Sequence, residues 1–135
     1  MKEQPKIAVL GGGSWATAIV KMLSENLDNV GWYMRSVYVL EHIKINKHNP
    51  NYLSSAELHP AQLDLSNDIN KIVKEYDVLI FAIPSAFLTL ELEKLTENLA
   101  DKIIFSAIKG IVPESGLIVG EHFFEKHNIP YENIL

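Results

Sequence analysis

Gly11, Gly13 and Ala16, spaced Gly-x-Gly-x-x-Ala, are the first residues of this chain whose types and spacing carry chemistry; Arg35 and Lys109 follow. The uncharged run Ile7-Ala-Val-Leu10 leads straight into the glycines, and a helical apolar stripe leads out of them. Gly11 permits a tight turn, and Gly13 removes the Cβ that would hold a phosphate off the backbone. Ala16 is small enough for a helix to lie close against the strand. The free N–H groups and positive dipole end of that helix then face the phosphates. A bare glycine turn between strand and helix is the competing reading. The strand before and the helix after favour a dinucleotide cradle.

In that architecture the end of the second strand, about 20 positions past the glycines, reads the adenosine ribose. An acid there accepts from the 2′-hydroxyl of NAD, whereas an arginine accommodates the 2′-phosphate of NADP. Between Asn29 and Leu40 there is no Asp or Glu; Trp32-Tyr-Met-Arg35-Ser36 brings Arg35 to that position, with Ser36 as a neighbouring hydroxyl donor. NADP(H) is therefore expected to be preferred or tolerated, against the reading of Arg35 as a solvated strand-end charge. Ile83-Pro84-Ser85-Ala-Phe87 follows a later strand and supplies a second cofactor wall. Pro84 stiffens that turn, and Phe87 either packs on a nucleotide ring or staples the next helix. Trp15 falls at the phosphate side of the helix start, or else turns its indole into the core.

Lys109 closes the third uncharged run, Ile103 to Ile108, and Gly110 lets the chain turn away. An ammonium at the carboxyl edge of a parallel sheet can stabilise negative charge developing on a substrate oxygen, or pair with a phosphate. The bland alternative is a strand-end lysine in water.

The elements that must position these groups alternate βαβα. Ile7–Leu10, Val78–Ile83 and Ile103–Ile108 read as central parallel strands, because strands covered on both faces lose hydropathic alternation. Weaker strands fall at 29–34 and 62–65. Ala16, Ile19, Val20, Leu23 and Leu27 form one helical stripe, and Leu88 to Leu99 dominate another segment. Residues 68–75 and 116–126 complete the helices. The expected fold is α/β, a Rossmann-type doubly wound, mainly parallel sheet with helices on both faces. Ile129-Pro-Tyr-Glu-Asn-Ile-Leu135 reads as the entry to a further strand, so the chain is expected to be a fragment.

A chain of 135 residues is one domain's worth. The absence of cysteine excludes disulfides and thiolate metal sites. His42, His48, His59, His122 and His127 form no i,i+4 pair and read as surface or capping residues. A net charge of −5 with scattered lysines argues against a nucleic-acid surface. A polar start and no apolar run of membrane length point to a cytoplasmic protein with no stable membrane insertion. Ser14-Trp15 stands where a phosphoryl-transfer loop would have Gly-Lys-Ser/Thr, which disfavours that chemistry.

Gly11-Gly-Gly-Ser-Trp-Ala-Thr-Ala18, His48-Asn-Pro-Asn-Tyr-Leu53, Ala82-Ile-Pro-Ser85 and Ser106-Ala-Ile-Lys-Gly-Ile111, in this order and spacing, resemble the bacterial NAD(P)-dependent sn-glycerol-3-phosphate dehydrogenases. The resemblance covers essentially the whole chain. It implies a cofactor domain over 1–135, with NADP or NAD as cofactor. The implied reaction interconverts dihydroxyacetone phosphate and glycerol 3-phosphate, feeding phospholipid synthesis. Carried over residue by residue, it makes Ser14 and Trp15 cofactor contacts, puts Arg35 at the adenosine ribose, and gives Lys109 a reach to both cofactor and substrate. Tyr52 lies in a matching His-x-Asn-x-x-Tyr region. The family's helical domain with its catalytic lysine is absent from this chain; a homodimer is expected of the full-length protein. Two other readings stand beside this one: the cofactor domain of a keto-acid or 6-phosphogluconate type reductase, and a non-catalytic dinucleotide-sensing module.

Overall fold

The computed structural model describes residues 4–135. In chain order the elements are β1 (Ile7–Leu10), α1 (Ser14–Ser24), β2 (Val30–Tyr33), α2 (Val37–Asn46), β3 (Leu63–Ser66), α3 (Ile69–Glu75), β4 (Val78–Phe81), α4 (Ser85–Glu93), β5 (Ile103–Ser106), β6 (Ile111–Val112), β7 (Leu117–Ile118) and α5 (Val119–His127). Five strands form one parallel sheet in the order β3-β2-β1-β4-β5. The order reverses beside β1, which opens a crevice at the carboxyl ends of β1, β2 and β4. Ligands of open parallel sheets bind at such a switch point.

Both faces of the central strands are buried, which explains their unbroken apolar runs. Ala8 and Leu10 face a core with Ile72, Leu79, Phe81, Leu88 and Phe123, under α3, α4 and α5. Val9 faces the other core with Ala16, Val20, Trp32, Leu40 and Ile43, under α1 and α2. Ala16 is fully buried, as close packing of α1 on β1 requires. Asp68 starts α3 by accepting from the N–H groups of Asn70 and Lys71. No helix among the described residues is long and apolar enough to cross a membrane.

The structure corrects several expectations. The third strand stops at Ser106 and is not covered on both faces: Ile103 and Phe105 are 40% and 43% exposed, because β5 lies at the rim of the sheet. Helix α5 starts at Val119 rather than 116; Gly116 turns at φ +69° and Leu117-Ile118 pairs antiparallel with Ile111-Val112. The leucine-rich segment is helical only to Glu93, leaving Leu95 and Leu99 to pack from the following loop. Helix α2 was not anticipated; Ser36 caps it by accepting from Val39 N–H at 3.2 Å. Ile134 forms a parallel bridge with Ile104, so the last residues do enter a strand position beside β5. His122 is buried, not a surface residue, and its Nδ1 lies 3.0 Å from Ser115 Oγ.

Candidate functional site

A cleft of about 310 Å³ occupies the crevice. Its floor is Gly11-Gly-Gly13. One wall is the exit of β2 with the start of α2 (Tyr33, Met34, Arg35, Ser36); the other is the exit of β4 with α4 (Ile83, Pro84, Phe87, Glu91), and Asn51 and Tyr52 close a third side.

The glycine loop is held from behind. Gly11 lies at φ +134°, and a Cβ there would stand 2.8 Å from the carbonyl carbon of Ala82, so the turn and the neighbouring strand exit both demand glycine. Gly11 O accepts from the buried Trp32 indole at 2.6 Å, and Gly12 O from the Asn49 amide at 3.2 Å. Gly13 O takes both the N–H and the hydroxyl of Thr17, at 3.0 and 2.7 Å. Asn49 is fully buried and also donates to Thr17 Oγ1 at 3.0 Å, while its Oδ1 accepts from the N–H groups of Asn51 and Tyr52. All three loop carbonyls are therefore occupied by the protein. The N–H groups of Gly12, Gly13, Ser14 and Trp15 have no acceptor among the described residues, and they open α1. A Cβ built on Gly13 meets nothing within 4 Å. Carbonyls drawn back, N–H groups free and no Cβ at the mouth make a socket for an anion.

Arg35 and Phe87 meet at the cleft from its two walls. The Arg35 guanidinium lies over the Phe87 ring, 5.7 Å from its centroid, and both side chains are substantially exposed. Phe87 faces the cleft rather than stapling α4 to the core. Ser36 lines the cleft while its Oγ accepts the α2 cap bond, so its hydroxyl proton stays available. Behind them the Tyr33 hydroxyl donates to Glu91, which also takes the Lys94 ammonium at 3.1 Å. Burial first, then the Glu91 carboxylate, hold the Tyr33 hydroxyl far above its ordinary range, so it stays protonated as the donor.

The structure gathers Gly11, Gly13, Arg35, Ser36, Pro84 and Phe87 on one cleft. Ser14 and Trp15 lie at the start of α1 and point outward instead of lining it. Trp15 is 63% exposed, which removes the core-facing alternative for its indole. Lys109 is exposed and lies outside the cleft, three residues past β5 on the carboxyl edge that also carries the glycine loop. Gly110 beside it turns at φ +91° near Ser85, the first residue of α4. Sequence reasoning missed Trp32, Asn49, Thr17 and Glu91. Asn49 lies inside a stretch already singled out, but a clamp on the glycine loop has no local pattern.

The profile of the family described as NAD-dependent glycerol-3-phosphate dehydrogenase N-terminus matches residues 6–132. Among similar curated proteins, glycerol-3-phosphate dehydrogenase [NAD(P)+] of Pseudomonas fluorescens is 36% identical over 121 residues, covering 90% of this chain and 35% of that protein. The Pseudomonas aeruginosa protein of the same description is also 36% identical, with the same coverage. The chain thus spans about a third of the length of the curated relatives it matches. Among solved structures, glycerol-3-phosphate dehydrogenase of Plasmodium falciparum superposes with a TM-score of 0.78 at 23% identity, covering 93% of this chain and 39% of that one. The Saccharomyces cerevisiae enzyme gives 0.76 at 23% identity, covering 94% and 40%. At these identities the superpositions establish a shared fold.

Proposed function

The chain belongs to the NAD-dependent glycerol-3-phosphate dehydrogenase N-terminal family, and we propose that it is the cofactor-binding portion of an oxidoreductase interconverting dihydroxyacetone phosphate and sn-glycerol 3-phosphate with NAD(P)H. The observation that carries the reading is the glycine loop whose carbonyls are all bound from behind while its N–H groups face outward. That arrangement fits the negative charge of a pyrophosphate. Arg35, Ser36 and Phe87 would then hold the adenosine end, and Ile83 and Pro84 would line the path toward the nicotinamide. Hydride transfer is the chemistry that a bound nicotinamide supplies; the chain's part is to orient it. Lys109, on the same edge, is assigned to the substrate: its ammonium balances charge on the reacting oxygen or on the phosphate. Ser14 and Trp15 are assigned to the outer side of the phosphate loop.

The active enzyme in this reading has a second, helical domain that closes the substrate cleft. It works in the cytoplasm as a homodimer, supplies glycerol 3-phosphate for phospholipid synthesis, and has no nucleic-acid partner. The test is Lys109→Ala in that two-domain enzyme. Turnover of dihydroxyacetone phosphate should fall by about a hundredfold or more while NADPH affinity changes little. Retained turnover removes Lys109 from the mechanism.

A further inference from the structure

The strand exit that ordinarily carries the ribose-reading acid has none here, yet the cleft contains a carboxylate. Glu91 comes from α4, one helical turn after Phe87, so the two side chains share the face of α4 that lines the cleft. Arg35 lies over Phe87, which brings the arginine of the β2 exit to the same patch. The Tyr33 hydroxyl, on the last residue of β2, donates to Glu91 Oε2 and fixes the carboxylate at the end of that strand. Lys94 takes Oε1. A carboxylate offers about four acceptor positions. Tyr33 and Lys94 use two, which leaves capacity for a ligand hydroxyl. Asp68, at the exit of the neighbouring strand β3, spends its side chain on the first N–H groups of α3 and does not line the cleft.

We propose that Glu91 is the specificity-determining acid of this cleft, accepting the ribose 2′-hydroxyl of NAD(H) and opposing the 2′-phosphate of NADP(H), with Arg35 as its counterweight. This inference rests on the dinucleotide reading above. A carboxylate anchored by a buried tyrosine is fixed, whereas the exposed Arg35 makes no hydrogen bond or ion pair among the described residues, stacks on Phe87, and is free to swing toward a phosphate. One cleft then takes both dinucleotides, each by a different partner. The acid has moved from the strand to the facing helix, out of reach of the usual spacing rule.

The test is titration of the purified chain with NADH and NADPH, followed by nicotinamide fluorescence, in the wild type and three variants. Glu91→Gln keeps the shape and removes the charge; it should raise the NADPH-to-NADH affinity ratio by about tenfold, the scale of one hydrogen bond to a charged group. Lys94→Gln, outside the cleft, strips the carboxylate of its counter-charge and should move the ratio the other way by about two- to threefold. Arg35→Ala should lower it, chiefly through NADPH. A structural role for Glu91 would weaken both dinucleotides alike, so an unmoved ratio in Glu91→Gln and Lys94→Gln overturns the proposal. If the wild type binds neither dinucleotide, the cofactor reading itself falls and this inference with it.

Discussion

Two neighbouring glycines should fail in opposite ways when each is replaced by alanine. At Gly11 the backbone sits at φ +134°, a conformation that costs an L-residue about 1–3 kcal/mol. The added methyl would also stand 2.8 Å from the Ala82 carbonyl carbon, main chain that cannot rotate aside; relieving such overpacking costs a further 1–3 kcal/mol or so. Gly11→Ala should therefore lose about 2–6 kcal/mol out of a total stability of about 5–15 kcal/mol. For a domain of this size that lowers Tm by about 7–20 °C. At Gly13 the backbone is at φ −87°, open to any residue, and a Cβ has no neighbour within 4 Å. Gly13→Ala should change stability by no more than about 1 kcal/mol, the scale of an altered helix cap. Its methyl would instead stand between the phosphate and the loop. Losing two hydrogen bonds to a charged group, about 1.5–3 kcal/mol each, weakens binding by roughly two to four orders of magnitude. Thermal melting by circular dichroism and NADPH titration by fluorescence read the two quantities separately. Unchanged NADPH affinity in Gly13→Ala, or a melting loss there equal to that of Gly11→Ala, would refute the assignment of this loop to a phosphate.

Asn49→Ala removes an amide that makes four hydrogen bonds, to Gly12 O, Thr17 Oγ1 and the N–H groups of Asn51 and Tyr52, and should cost about 2–4 kcal/mol together with a loss of dinucleotide affinity. Urea denaturation with and without NADPH checks it, and full affinity at reduced stability would separate the clamp from the site. Burial lowers the imidazole pKa of His122 and of His127, with the Lys126 charge adding at His122 and Glu114 opposing it. The unfolded state therefore binds these protons first, so stability is full above about pH 6.5 and declines as pH falls below it. The double variant His122→Asn/His127→Asn should flatten that acid limb in urea midpoints measured from pH 7.5 to pH 5; an equally steep limb would place the titrating groups elsewhere.

What the sequence made readable followed from local rules. A strand buried on both faces has no choice but an unbroken apolar run, so β1 and β4 announce themselves, and the glycine spacing reports a turn whose cause lies within six residues. Helix α2 stayed hidden because its apolar residues do not gather on one face: Val37, Tyr38 and Ile45 are exposed while Val39, Leu40 and Ile43 are buried. The β6–β7 hairpin was too short to leave a period, and β5 misled because a rim strand can keep apolar residues that the described helices do not cover. Arg35 and Phe87 were reachable from strand exits, since chain topology alone brings those exits together.

The remainder of the site was illegible for one physical reason. A phosphate socket needs its carbonyls turned away as much as its N–H groups turned outward, and a short glycine loop cannot do the first by itself. Here the indole of Trp32 and the amide of Asn49 do it from 21 and 37 residues away. Neither residue type at those places signals a binding role: a tryptophan in a buried strand reads as core, and an asparagine before Pro50 reads as a turn. The same holds for Glu91, whose segment the sequence marks only by its leucines. Its partner is a tyrosine on a strand 58 positions earlier. Spacing motifs record the groups that touch a ligand through the backbone. The side chains that aim the backbone, and the charges that choose between ligands, are set by which strand exits face one another, and that becomes visible only when the sheet order is known.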